Sequence, residues 1–254
     1  MKTKTNLIEQ TESGLHCPEG EFYIDPWRAV ERAVITHAHA DHARPGCGRY
    51  LATPECARLI KTRLDPEVKV QEIPYRAPLT LNGIRLSLHP AGHILGSAQV
   101  RLERSGEVWV VTGDFKRDPD PTCAPFEPLR CHTLVTESTF GLPVFRWPDP
   151  ETVMADIRAW WRRNAAEGKP SLLFAYALGK AQRILAGLDA AAGPIFTHGA
   201  VEPIVQVYRE AGGAERIRVT HGYAAEMVRF LREKGLSAEA VPNAFSGETE
   251  APDA

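Results

Sequence analysis

The segment Thr36-His37-Ala38-His39-Ala40-Asp41-His42 packs three histidines and one aspartate into six residues, separated only by alanine. It directly follows the apolar run Arg32 to Ile35. Imidazole nitrogens and carboxylate oxygens are the donors of divalent-metal sites. In an extended segment side chains alternate, so His37 and His39 point to the same side, while Asp41 and His42, adjacent after a turn, can face a second point in space. That spacing suits two metal ions better than one. A lone histidine in a chain of this size is more often structural, but this cluster has no comparable packing explanation. Its alanines let the ligands crowd together without competing for volume.

Further candidates stand where apolar runs end beside glycine, which permits a tight turn at a ligand. They are His93 in Pro90-Ala91-Gly92-His93-Ile94-Leu95-Gly96-Ser97, Asp114 in Val111-Thr112-Gly113-Asp114 and His221 in Val219-Thr220-His221-Gly222. Each alone would be an ordinary loop residue, and its weight comes from the histidine cluster. His198, in Phe196-Thr197-His198-Gly199, reads first as a loop histidine with a structural hydrogen bond. His16, His89 and His132 are given no role.

The elements that must position these residues differ between the two halves of the chain. From Gly14 to Glu137 short apolar runs broken by Gly, Pro and Asp predict strands, among them EFYID, RAVIT, IRLSL, AQVRLE, EVWVVTG and HTLVTE. One helix interrupts them after Thr53-Pro54, with Thr53 as cap and proline at the first position. After Pro143, DPETVMADIRAWWRRNAAEG, ALGKAQRILAGLDAA and AVEPIVQVYREAG carry helix-spaced apolar residues, and SLLFAY reads as a buried strand. RIRVT, AAEMVRFLREKG and SAEAVP form a last strand-helix-strand unit before a disordered acidic tail at 248–254.

Composition bounds the function. The chain has 254 residues, 43% hydrophobic and 24% charged, which excludes disorder, collagen and coiled coil. A net charge of -2 excludes a polycation that coats nucleic acid indiscriminately, so any phosphate-binding surface is local. Five cysteines without a CxxC pair, and an opening MKTKTNLIEQ without an apolar core, predict a reducing, cytoplasmic setting. The longest apolar run, around Leu172 to Leu178, falls short of the roughly 20 residues of a membrane span, and no membrane role is expected.

Taken together, HAHADH, GH, TGD and THG resemble the metallo-β-lactamase fold. Glu137 in ESTFG matches the acidic motif that opens the β-CASP insertion of its nucleic-acid-cutting members, and LFAYALGKAQ resembles that insertion's strand-to-helix segment. FYIDPWRAVERAVITHAHADHARPG, GDFKRDPDPTC and THGAVEPI are similar to the bacterial ligase-associated DNA exonucleases. The resemblance covers nearly the whole chain. It implies an α/β (α+β) fold, a metallo-β-lactamase αββα sandwich with a shortened β-CASP insertion. The core would comprise residues 1–142 and 214–247 and the partial insertion residues 143–213.

Carried over by position, the resemblance implies one metal held by His37, His39 and His93, a second by Asp41, His42 and His221, and Asp114 bridging both. Asp25 in YID matches the family's first acidic motif and would fix the histidine loop by hydrogen bonds without touching metal. The donor set favours Zn²⁺, with Mn²⁺ also compatible. The implied activity is a two-metal phosphodiesterase acting on DNA, an exonuclease of DNA repair, with a metal-bridging hydroxide as nucleophile and Asp41, Asp114 and Glu137 as its catalytic carboxylates. Single-stranded DNA or duplex ends would be the substrate, and a DNA ligase and a helicase the partners.

The sequence departs from this family in one place. After the helix Ile204 to Ala211, Gly212-Gly213 leads straight into AERIRVTHG, without the SDHAD-like motif whose histidine is thought to serve the leaving group beside Glu137. General acid catalysis typically contributes about 10² to 10⁴-fold. The alternatives are a ribonuclease of the same branch, a small-molecule metallohydrolase on the same core, which the Glu137 and KAQ motifs argue against, and a metal-binding relative with impaired turnover. Lys116 and Arg117, just after Asp114, and Lys180 are the candidate phosphate contacts. Between Val153 and Leu185 six basic residues face two acidic ones, a pattern that bare helix faces share. Trp160 or Trp161 could stack on bases, with at least one of them expected in the core.

Overall fold

The computed structural model describes residues 6–189, 192–211, 216–219 and 237–240. Two mixed sheets lie face to face. Sheet A runs β1(Glu9–Thr11), β2(Gly14–Cys17), β3(Phe22–Ile24), β4(Arg32–Val34), β5(Arg49–Ala52) and β6(Val70–Glu72) in spatial order, antiparallel as far as β3 and parallel from there. Sheet B contains β7(Leu79–Leu81), β8(Ile84–Pro90), β9(Ala98–Arg104), β10(Glu107–Val111) and β11(Thr133–Val135), the last parallel to β10 and the others antiparallel.

The two-residue period of the strands explains the layering. In sheet A, Ile24, Val34 and Leu51 face Leu86, Leu88, Val100 and Leu102 of sheet B in one buried core. Their neighbours Ala33, Tyr50 and Ala52 point the other way, into a second core with α1(Pro54–Arg63) and α4(Glu202–Ala211). The central strands β4 and β5 are thus buried on both faces, which accounts for the apolar runs Ala33 to Ile35 and Tyr50 to Ala52. Thr53 caps α1 as the sequence predicts: its Oγ1 accepts from Cys56 N–H at 3.3 Å and donates to the Gly96 carbonyl at 2.7 Å, with Pro54 in the first turn.

The segment after Glu137 departs from its reading in one element. The helices form as α2(Pro150–Ala166), α3(Lys180–Gly187) and α4. Residues 171–176, read as a buried strand, join no ladder, and Leu172, Leu173, Phe174 and Tyr176 are exposed, Phe174 by 89%. An apolar run is buried only where a neighbouring strand and a covering layer exist, and among the described residues this one has neither. No residue of α2 is buried either, so neither Trp160 nor Trp161 belongs to the core. Near the end of the chain β12(Arg216–Val219) and β13(Ser237–Ala240) pair in parallel. His221, the helix expected over AAEMVRFLREKG and the acidic tail lie outside the described residues. Among the described residues no helix is long and apolar enough to cross a membrane.

Candidate metal centre

Five strands end at one rim of the sandwich, and each releases one donor or support there. Asp25 follows β3, the histidine segment follows β4, His93 follows β8, Asp114 follows β10 and Glu137 follows β11. The two sheets are joined at this rim by Ala98 N–H donating to the Thr36 carbonyl at 2.7 Å. Gly113 (φ +56) is needed at the crossing. A Cβ there would sit 2.5 Å from the Thr36 side chain, so only glycine lets the Asp114 loop approach the histidine segment. Ser97 Oγ accepts from the backbone N–H groups of His93 (3.1 Å) and Ile94 (3.2 Å) and so shapes the second ligand loop. From α1, the Arg63 guanidinium donates to the Ala38 carbonyl.

The outcome is a convergent donor set. His37, His39, His93 and Asp114 each offer one ligand atom, all within 4.8 Å of one another. His37 Nε2 lies 3.0 Å and His93 Nε2 3.3 Å from His39 Nδ1. Asp114 divides its carboxylate. Oδ2 stands 3.8 Å from His37 Nε2 and 3.7 Å from His93 Nε2, while Oδ1 stands 3.4 Å from His42 Nε2. Asp41 Oδ2 is 3.6 Å from that same His42 nitrogen, and its side chain is otherwise exposed.

Asp25 touches none of the converging atoms but holds the segment that carries them. Its Oδ1 accepts from Thr36 N–H at 2.8 Å, and its Oδ2 accepts from the Thr36 hydroxyl at 2.5 Å and pairs with His42 Nδ1 at 2.8 Å. Its backbone sits at φ +44, a left-handed conformation that a non-glycine residue keeps only when its surroundings fix it.

Electrostatics separates the four imidazoles. Burial pushes His37 well below the ordinary imidazole value, and its neighbours His42, His93 and His39 push the same way. Burial also lowers His39 and His93, against the opposing Asp114 carboxylate. These three are neutral near pH 7 and have lone pairs to give, as metal ligation requires. Burial would lower His42 too, but its hydrogen bonds and charge interactions with Asp114 and Asp25 outweigh that and push it up to about 10. The hydrogen bond from His42 in turn leads the effects that hold the Asp114 carboxyl below its usual range.

No protein-family model matches the chain. It is 31% identical over 205 residues to a protein of Opitutus terrae named a probable DNA ligase, covering 78% of this chain and 20% of that one. It is 29% identical over 173 residues to endoribonuclease YSH1 of Gibberella zeae, covering 66% and 20%, and 28% identical over 254 residues to ribonuclease TTHA0252 of Thermus thermophilus, covering 88% and 54%. These relatives are β-CASP members of the metallo-β-lactamase family, and the two mixed sheets and four helices among the described residues are consistent with that assignment. The chain spans about a fifth of the length of the first two relatives and about half of the third.

The other named residues fall into two groups. Glu137 lies beyond β11, near enough for its charge to reach His93, and its Oε2 accepts from Thr139 N–H at 2.7 Å. Arg117 and Lys180 are exposed. Lys116, in contrast, is drawn to Asp120 at 3.3 Å, and Arg183 of α3 reaches the same Asp120 oxygen at 3.3 Å. The sequence reading missed Asp120, whose DPDPTC context gives no sign that the second aspartate is buried.

The remaining described histidines are spoken for locally. His198 Nδ1 accepts from Ala200 N–H, His132 Nδ1 accepts from Val108 N–H, His89 joins Ser87 and Glu127, and His16 pairs with Glu9. The turn before α3 also supplies a contact that the sequence does not announce. The Leu178 carbonyl oxygen lies 3.2 Å from His39 Nε2.

Proposed function

We propose that this chain is the metal-dependent hydrolase of a DNA nuclease, a two-metal phosphodiesterase that works exonucleolytically in DNA repair in the cytoplasm. The observation that carries the reading is the divided Asp114 carboxylate, one oxygen facing His37 and His93 and the other facing His42. Neutral imidazoles plus a carboxylate fit a divalent ion, Zn²⁺ before Mn²⁺. His37, His39 and His93 would hold one ion, Asp41, His42 and His221 the other, and Asp114 both. Such ions would supply water activation near neutral pH and neutralise charge on a phosphodiester.

The chain's own residues carry the rest. Asp25 aims His42 by its Nδ1 contact. Glu137 is assigned proton traffic at the leaving oxygen, in the absence of the SDHAD-like histidine. Arg117 and Lys180 contact substrate phosphates, with Lys116 shared between phosphate and Asp120. Residues 143–213 act as the shortened insertion that covers the centre.

DNA is favoured because one relative is named a probable DNA ligase, and a ligase partner fits the same observation; a helicase partner rests on family resemblance alone. RNA is the second substrate reading, supported by the relatives named as ribonucleases. Impaired turnover is the third, supported by the uncovered apolar residues Leu172 to Phe174. Incubating the metal-quantified protein with end-labelled single-stranded DNA, duplex DNA and RNA, beside a His39→Ala control, tests all three. Metal-dependent shortening of DNA from its ends, lost in the control, is the expected result. Two bound metals without cleavage of any substrate would overturn the nuclease reading.

A further inference from the structure

His39 presents Nδ1 to the donor set, so its other nitrogen decides whether the ring is held there. Among the described residues that nitrogen has no side-chain hydrogen bond. Its partner is the Leu178 carbonyl, 139 residues away in the chain and part of the turn that enters α3. A carbonyl can only accept, so Nε2 carries the proton and Nδ1 is left with its lone pair toward the metal position.

The turn is built to hold that carbonyl in place. Gln182, 4% exposed, grips it from both sides: its Oε1 accepts from Gly179 N–H at 2.7 Å and its Nε2 donates to the Ala177 carbonyl at 2.9 Å. Leu178 itself is buried in the core shared by sheet A, α1 and α4. Gly179 adopts φ +87, and a Cβ there would lie 2.5 Å from Ile94 Cγ2 and 3.8 Å from His39 Nε2. The turn thus rests directly on the ligand loop, with no room for a side chain between them.

We infer that the Ala177–Gln182 turn is a positioning element of the metal centre, in which Gln182 fixes the Leu178 carbonyl so that it orients His39 and raises its affinity for metal. The docking of the insertion and the loading of the metal site are then two sides of one equilibrium, each strengthening the other. Leu178 and Gln182 act through His39 and touch neither metal nor substrate. The inference rests on the proposed metal centre, and its test uses no nucleic acid.

Zn²⁺ affinity is measured by competition with a chromophoric chelator, and the Co²⁺ visible spectrum is recorded, for wild type, Gln182→Met, Gly179→Ala and Gly168→Ala. Gln182→Met removes both hydrogen bonds without adding bulk, so it carries the test alone if Gly179→Ala does not fold. Gly168 also has positive φ (+66) but open space at its Cβ position, which makes it the control for backbone strain in this segment. Gln182→Met and Gly179→Ala should weaken Zn²⁺ binding about 10 to 100-fold, the usual loss when a partner of a ligating histidine goes, and change the Co²⁺ spectrum. Gly168→Ala should match wild type. Equal affinities and spectra in all four proteins would overturn the inference and leave the proposed function standing. Equal weakening in Gly168→Ala would also overturn it, since strain alone would then suffice. Failure of the wild type to take up any divalent ion would overturn the proposed function and the inference together.

Discussion

His42 Nδ1 lies 2.8 Å from Asp25 Oδ2, and that contact turns His42 Nε2 toward Asp114 and Asp41. Asp25 is therefore expected to govern metal affinity without being a ligand. Asp25→Ala should weaken divalent-metal binding about 10 to 100-fold, read by calorimetric titration. Unchanged affinity would remove Asp25 from the support of the centre.

Protons and metal compete at His42. Its value of about 10 in the folded chain stands above the unfolded imidazole value of about 6.5. The sign follows: its stabilising contribution is complete below about pH 6.5 and is lost as pH rises through about 10. Loading metal at pH 7 must expel this proton, so affinity should rise with pH. Titrations in buffers of different ionisation enthalpy check it, with net proton release expected and its absence counting against His42 as a ligand.

Asp120 anchors the segment after Asp114 to α3. Burial would raise its carboxyl, but hydrogen bonds from Thr122 and the charges of Lys116 and Arg183 outweigh that and hold it below the usual range. A depressed carboxyl stabilises the fold above the unfolded value of about 3.9, and that contribution fades as pH falls through the lower folded value. Asp120→Asn should cost about 2 kcal/mol, the scale of hydrogen bonds to a charged group. The variant should also lose part of the acid-induced destabilisation below about pH 4, as followed by urea unfolding at pH 3 and pH 7.

The uncovered segment predicts a contrast in stability. Phe174→Ser should shift unfolding by less than about 0.5 kcal/mol, as surface changes do. Leu88→Ala, in the fully buried core between the sheets, should cost about 2 to 5 kcal/mol. Similar costs at the two sites, measured by denaturant unfolding, would mean that Phe174 is buried in solution.

How much of this was legible in the sequence depends on how local each signal is. His37 and His39 could be paired because a two-residue period places them on one side, and His93 and Asp114 because each follows an apolar run beside glycine. Six of the eleven strands of the two sheets, β3, β4 and β8 to β11, were legible as short apolar runs, and α1 by its Thr53-Pro54 start. The Leu178 contact to His39 was not, since a backbone carbonyl carries no side-chain signature and 139 residues separate the two. SLLFAY misled because an apolar run records what could be buried, whereas burial also needs a neighbour. Lys116 looked free for phosphate because nothing local marks Asp120 as its buried partner.

If the Asp114 carboxylate joins two metal positions, its removal changes how many ions the chain holds. Wild type, Asp114→Asn and Glu137→Gln are loaded with Zn²⁺, freed of excess and counted by elemental analysis. Two ions per chain are predicted in wild type and in Glu137→Gln, and none retained in Asp114→Asn. Two ions retained in Asp114→Asn would show that this carboxylate bridges no metal pair.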